Sequence, residues 1–234
     1  MNPFIVVSDL DDTIKISHTM DQFRTVLRGL FSHQAYAGMA ELYTELARTP
    51  DSLIVLSSSP LWIRKRVHEF LRRNRFPKAQ VILRDWVKQP QVRKYKFNAL
   101  KQLAEKSTEP FILFGDDTEY DPEVFESFLN EYPDRVLKIY IRRMRGRPLP
   151  EGMQGFHTSY EIALSEFAAG RLDLEQVHRI GKAVADTRNP AYIIPHFAVL
   201  PEEILQAPES EALSEIHERV LARLRKIVGK RKRA

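Results

Sequence analysis

The stretch FIVVSDLDDT, residues 4–13, decides how this chain is read. Phe4 to Ser8 is a short apolar, β-branched run, the pattern of a buried strand. Asp9, Asp11 and Asp12 follow at once. At a strand end, residues i and i+2 point the same way, so Asp9 and Asp11 can face one reacting centre. One carboxylate can then attack phosphorus, and the other can protonate a leaving oxygen and deprotonate an entering water. A lone D-x-D carries little weight, because acids are common in turns. A second apolar run, Phe111 to Phe114, ends the same way in GDDTEYDP, with Asp116, Asp117 and Asp121.

Working outward, strand-like and helix-like segments alternate. Further strands are expected at Leu53–Leu56, Val81–Leu83 and Val136–Ile141. Helices are expected at Tyr36–Arg48, Leu61–Arg73, Val92–Glu105 and Val124–Tyr132. This alternation predicts an α/β fold with a five-stranded, mostly parallel sheet flanked by helices. In such sheets ligands lie beyond the carboxyl ends of the strands, so both acidic clusters belong to one edge. As many as six carboxylates crowded there repel one another. A hard divalent cation resolves the repulsion. Magnesium suits the site because it keeps several waters and needs few carboxylates plus a substrate phosphate.

Two other pieces adjoin that edge. The second strand ends in Ser57, Ser58, Ser59 and Pro60, with Pro60 suited to a first helical turn. Serine hydroxyls and free N–H groups at a helix start can cradle phosphate, although plain helix capping uses the same residues. Lys96, on the helix before the fourth strand, can neutralise a phosphate or the aspartates. Arg93 and Lys94 compete for that role.

Composition narrows the class. The chain has 234 residues, 43% hydrophobic and 29% charged, enough apolar material for a core. No apolar run reaches the roughly 18 residues of a membrane span, and the N-terminus lacks the basic start of a secretory signal. With no cysteine, disulfides, thiolate zinc sites and cysteine nucleophiles are excluded. A cytoplasmic protein is the expectation. The net charge of +5 belongs mostly to the end of the chain, where Arg225, Lys226, Lys230, Arg231, Lys232 and Arg233 stand without an acid. Such a tail can meet an anionic membrane or nucleic acid, or simply aid solubility. A basic patch at Arg64, Lys65, Arg66, Arg72, Arg73 and Arg75 reads as an outer helix face.

These pieces, in this order, resemble the haloacid-dehalogenase-like (HAD) phosphotransferase superfamily over Phe4 to about Arg142. D-x-D-x-T corresponds to Asp9, Asp11 and Thr13, the serine ending strand two to Ser57, and the lysine to Lys96. The GDxxxxD pair corresponds to Gly115, Asp116 and Asp121. SDLDDTIKIS, AGMAELYTELA, VLSSSPLW, FGDDTEYDPEVF and IYIRR are similar, more narrowly, to the catalytic domain of actin-patch-protein-type phosphatidate phosphatases and their bacterial relatives. Ser58 departs from the asparagine usual there, and Asp117 from a serine; the extra charge of Asp117 bears on metal affinity.

The resemblance implies a HAD-like Rossmannoid core over residues 1–148 with a small cap. A C-terminal helical extension over 149–234 then packs on the core and ends in the basic tail. Its helices are expected at Ser159–Ala169, Leu172–Ala185 and Ser210–Val228. The last has an apolar stripe of Leu213, Ile216, Val220, Leu224 and Ile227.

The resemblance also implies roles. Asp9 is the nucleophile and Asp11 the general acid and base. Mg2+ is held by the Asp9 carboxylate, the Asp11 carbonyl and Asp116, with Asp121 joining through water or orienting the other ligands. Ser57 and Lys96 bind the transferred phosphoryl group, with Ser58 and Thr13 also on the substrate side, and Asp12 and Thr13 shape the turn. The acid at Asp11 marks a phosphatase. The segment Ile14 to Ser52 holds only a small cap, so the site is open, and Lys15, His18 and Arg24 are candidates to meet a head group. The expected reaction is magnesium-dependent phosphomonoester hydrolysis through an aspartyl-phosphate, acting on phosphatidate or a related lipid phosphate. The alternatives are a phosphatase of nucleotide or polynucleotide ends, and a non-catalytic lipid- or nucleic-acid-binding module.

Overall fold

Six strands lie side by side in the computed structural model, which describes residues 3–16, 34–49, 51–201 and 210–231. They are β1 (Ile5–Ser8), β2 (Leu53–Pro60), β3 (Gln80–Arg84), β4 (Phe111–Asp116), β5 (Val136–Arg142) and β6 (Met153–Phe156). The sheet order is β3-β2-β1-β4-β5-β6, and every neighbouring pair is parallel. The sequence predicts five strands. The sixth, MQGF, is short and has only two large apolar residues, and it follows a proline- and glycine-rich stretch. Its pairing with β5 from Ile139↔Met153 to Arg142↔Phe156 identifies it where its own pattern does not.

Among the described residues the helices are α1 (Met39–Leu46), α2 (Arg64–Arg73), α3 (Val92–Lys106), α4 (Asp121–Glu131), α5 (Ser159–Ala168), α6 (Leu174–Asp186) and α7 (Ser214–Arg231). Their starts follow local chemistry. Thr158 and Glu161 form a capping box at α5, and Asp173 and Gln176 form one at α6. α1 starts at Met39 rather than Tyr36. Gly38 precedes it with φ +74°, and a Cβ there would lie 2.2 Å from the Ser159 hydroxyl oxygen.

The strands are apolar on both sides because both faces are covered. Val6, Val55, Ile112, Phe114 and Tyr140 face one cluster, built with residues of α1, α2, α5, α6 and α7. Val7, Ile54, Leu56, Phe111, Leu113, Ile139 and Ile141 face the other, built with α3 and α4. Leu213, Ile216, Val220, Leu224 and Ile227 are all buried in the first cluster, so it runs unbroken from the N-terminal strand to the last helix. β1 has both flanks paired, Ser8 standing opposite Val55 on one side and Phe114 on the other. His18, Arg24, Lys232 and Arg233, and most of the expected cap, lie outside the described residues.

Candidate active site

β1 and β4 end together. The Asp9 N–H donates to the Phe114 carbonyl at 2.8 Å, continuing the ladder one residue past β1. This register brings the carboxylates of Asp9, Asp116 and Asp121, all buried, together: one oxygen from each lies within 4.8 Å of the others. Asp121 opens α4, where the helix N-terminus favours a carboxylate. It also accepts the Asp116 N–H at 3.3 Å. Gly115 makes this approach possible, since a Cβ at 115 would meet the Asp121 Cβ at 2.6 Å and its Oδ2 at 2.7 Å.

Lys96 reaches the cluster from the buried face of α3. Its Nζ donates to Asp9 Oδ1 at 2.8 Å and to Asp121 Oδ1 at 2.5 Å. Arg93 and Lys94, the rival cations in the sequence, are exposed one turn earlier. Burial alone would lower the Lys96 pKa, but Asp121 and Asp9 outweigh it and hold the ammonium well above its ordinary value. Burial raises the Asp9 carboxyl well above the usual carboxylate range, and Asp121 and Asp116 add to the rise while Lys96 opposes it. Asp116 is raised likewise by burial, Asp121 and Asp12, against a hydrogen bond from Thr118 and the charge of Lys96. Three buried carboxylates and one buried ammonium leave an excess of negative charge. The donors are all oxygen and no thiolate exists in the chain, so the set fits a hard divalent cation.

The turn after β1 is closed by its own backbone hydrogen bonds. Asp12 has φ +55° and donates its N–H to the Lys15 carbonyl at 2.7 Å, while the N–H groups of Ile14 and Lys15 return to the Leu10 carbonyl. Arg142, buried at the end of β5, donates Nε to the Thr13 carbonyl and one Nη to the His157 carbonyl, both at 2.9 Å. Thr13 Oγ1 donates to Asp116 Oδ2 at 3.3 Å, and the Thr118 N–H donates to Asp116 Oδ1 at 2.7 Å. Thr13 therefore touches the aspartate cluster directly. Below the turn, Tyr43 OH donates to Ser8 Oγ at 2.8 Å, and Ser8 Oγ donates to the Asp9 carbonyl at 2.6 Å.

Asp11 is partly exposed and lies apart from the three clustered carboxylates. Lys15 Nζ donates to its Oδ1 at 3.2 Å and Ser59 Oγ to its Oδ2 at 3.1 Å. Lys15, a head-group candidate in the sequence, is thus buried against Asp11. Ser57 is also buried, and its Oγ accepts the Ser59 N–H at 3.1 Å. Its setting differs from the expected helix start. β2 stays extended through Pro60, and Ser58 and Ser59 bulge out where the register jumps from Ser57↔Leu83 to Pro60↔Arg84. A short 3₁₀ turn, Leu61–Ile63, then leads into α2. The bulge is what lets Ser59 reach Asp11, while Ser58 Oγ donates to Glu119 Oε2 at 3.4 Å.

Asp117 is turned away from the cluster. Its Oδ1 accepts the N–H groups of Met144 and Arg145 at 2.6 and 2.7 Å, and its Oδ2 those of Gly146 and Arg147 at 2.9 and 3.2 Å. Arg143 adds an ion pair at 3.3 Å. Its charge is spent on folding the loop after β5. Thr118 and Arg142 are the partners sequence reasoning missed, while Ser59, named there among the serines that could cradle phosphate, turns to Asp11 instead. Of these two, Arg142 left a trace, as the first arginine after the fifth apolar run.

Residues 4–143 match the family model described as the catalytic domain of phosphatidate phosphatase APP1. Phosphatidate phosphatase APP1 of Saccharomyces cerevisiae is 28% identical over 152 residues, covering 58% of this chain and 25% of that protein. An uncharacterized protein of Schizosaccharomyces pombe is 21% identical over 152 residues, covering 60% of this chain and 25% of its own length. Each match therefore takes in about a quarter of the curated relative. A chain in the solved structure of a Pnkp1/Rnl/Hen1 complex is similar over 55% of this chain and 42% of its own, with 18% identity and a TM-score of 0.42.

Proposed function

The chain belongs to the phosphatidate phosphatase APP1 catalytic-domain family, and on that premise we propose that it is a magnesium-dependent phosphomonoester hydrolase acting on phosphatidate or a closely related lipid phosphate. The observation that carries the reading is the buried trio of Asp9, Asp116 and Asp121 bridged by Lys96 at the carboxyl edge of a parallel sheet.

Asp9 is the nucleophile. Lys96 holds its Oδ1 and leaves the other oxygen to attack phosphorus. The bond from phosphorus to the ester oxygen breaks as the bond to Asp9 forms. Asp11, aimed by Lys15 and Ser59, gives the departing alkoxide its proton. Asp11 then takes a proton from water, whose oxygen attacks the aspartyl-phosphate, releasing inorganic phosphate and restoring Asp9. Lys96 and Ser57 stand with the phosphoryl oxygens, the lysine offsetting charge as it develops. Asp9, Asp116 and Asp121, with the Asp11 carbonyl, would hold the cation. Bound there, it neutralises the carboxylates and the phosphate so that one anion can approach another.

The test is phosphate release by the purified chain from phosphatidate in mixed micelles and from soluble phosphomonoesters. Release that needs magnesium and stops with a chelator is the expected result. No release from any ester by folded protein would overturn the proposal, and full turnover by Asp9→Asn would overturn the mechanism.

A further inference from the structure

Large apolar side chains on a soluble surface are ordinarily scattered singly. Here seven stand exposed among the described residues. Five of them, Leu61, Trp62, Trp86, Val87 and Tyr120, lie on segments that leave the carboxyl ends of β2, β3 and β4. Both tryptophans of the chain are in this group. Trp62 is 64% exposed and Val87 91%, so neither packs into the core.

The register gathers these segments. Pro60 pairs with Arg84, so Trp62 and Trp86 each stand two residues past the same rung. Trp86 Nε1 and Arg84 Nε both donate to the Ser58 carbonyl, at 3.0 and 3.1 Å. Ser58 in turn reaches Glu119, the neighbour of Tyr120. The Arg93 guanidinium lies 4.2 Å from the Tyr120 ring centroid. The apolar residues thus form a crest along the edge of the sheet that holds Asp9.

The surrounding charge is mostly positive, although Lys88 lies 4.0 Å from Asp85, Arg93 lies 3.9 Å from Glu123, and Glu119 stands beside Tyr120. On the segments that leave this edge stand Arg64, Lys65, Arg66, Arg84, Lys88, Arg93 and Lys94, against Asp85 and Glu119. α2 opens with Arg64, Lys65 and Arg66, and α3 with Val92, Arg93 and Lys94; neither has an acid in its first turn. Cations at a helix N-terminus oppose the helix dipole, so these positions work against helix stability and add to the positive potential at the edge. A half-open cavity of about 250 Å³, lined by Lys88, Lys94 and Tyr95 among others, indents this ground beside Val87.

We propose that this rim is the surface by which the protein docks on an anionic lipid bilayer. Trp62 and Val87 enter the boundary between head groups and acyl chains, and Arg64, Lys65, Lys88, Arg93 and Lys94 meet lipid phosphates. The proposal rests on the lipid-phosphate reading above and adds where the membrane lies: over the mouth of the site, not only at the basic tail. Aliphatic Leu61 and Val87 favour a bilayer over single-stranded nucleic acid, whose bases stack on aromatic faces and gain nothing from valine.

The experiment uses the full chain in chelator-containing buffer, so that docking is read apart from turnover. Phosphatidylcholine vesicles with and without phosphatidate are the probe. The expected result is co-sedimentation that needs phosphatidate and weakens with salt, with blue-shifted tryptophan emission quenched by brominated acyl chains. The double variant Trp62→Ser, Val87→Ser should lose at least about tenfold in vesicle partition while hydrolysing a soluble aryl phosphate at the unaltered rate. Vesicle binding without quenching would show another face docking and would overturn the proposal. Undiminished partition of the double variant, or quenching by single-stranded RNA with no vesicle binding, would do the same. Protein that hydrolyses the soluble ester yet ignores vesicles sinks the docking alone. Protein that docks with quenching yet hydrolyses no ester sinks the phosphatase reading and upholds the docking surface.

Discussion

Asp116 and Asp117 are adjacent and equally buried, yet their surroundings are opposite. The carboxylate of Asp116 faces those of Asp9 and Asp121 across a pocket in which Lys96 is the bridging cation. The carboxylate of Asp117 lies in a loop that aims four backbone N–H groups at it, with Arg143 alongside. In the loop the negative charge has its partners within the chain and holds the chain in shape. In the pocket it exceeds its partners, so that region gives up stability, as a site that could hold a metal ion would. The acidic pair in the sequence therefore splits in two: one carboxylate folds a loop, and the other joins a buried cluster that could hold a metal ion.

The largest effect that could break this contrast is at Asp9. Asp9→Asn should cut turnover by more than about 10³-fold, yet melt no earlier than the wild type in metal-free buffer, because burial of the Asp9 charge and its repulsion from Asp121 and Asp116 together outweigh the attraction of Lys96 that is lost. Early melting would put Asp9 in the same class as Asp117. Next comes Asp117→Ala, which strands four N–H groups and should cost about 3 kcal/mol or more in urea unfolding. A neutral outcome would mean that the loop does not depend on the charge. Gly115→Ala should cost about 1–3 kcal/mol in unfolding and lower magnesium affinity or kcat/KM by about 10–100-fold, because Asp121, whose Cβ would lie 2.6 Å from the new methyl, must move away.

The smallest effect is a pH slope. Asp9 and Asp116 hold protons more tightly folded than unfolded. Their contribution to stability is therefore complete below the ordinary value of 3.8 and is lost as pH rises through the folded-state values. Lys96 is shifted upward too, but its contribution is lost only above its ordinary value of 10.5, outside that window. Metal-free protein should thus lose stability on going from mildly acidic to neutral buffer, by at most about 1.4 kcal/mol per pH unit per proton. Saturating magnesium should flatten the slope. A metal-free profile that instead rises with pH would mean that the pocket carries no excess charge.

How much of this was legible in sequence depended on the range of the interaction. β1 and β4 showed themselves as apolar runs, and their acidic ends fell at one edge because parallel strands share a direction. The register then put Asp9 against Asp116, and the spacing of Lys96 along α3 turned it inward while Arg93 and Lys94 stayed out. Asp117 was unreadable, because its partners are N–H groups of a loop 27 to 30 residues later, and any residue type supplies an N–H. The Ser59–Asp11 contact was hidden for a similar reason: it depends on a bulge in the pairing with β3, which appears in no local pattern. β6 was missed because an edge strand of four residues gains its identity from its neighbour.

The position of β1 in the middle of the sheet also has a kinetic side. Its pairs reach forward to Leu53 on one flank and to Phe111 on the other, so the first strand of the described chain has no local partner. Non-local parallel pairing is slow to form, since long loops must close before any contact compensates for their lost entropy. The aspartate pocket comes into being only when both closures are complete. Magnesium recruited by that pocket would therefore slow unfolding more than it hastens refolding.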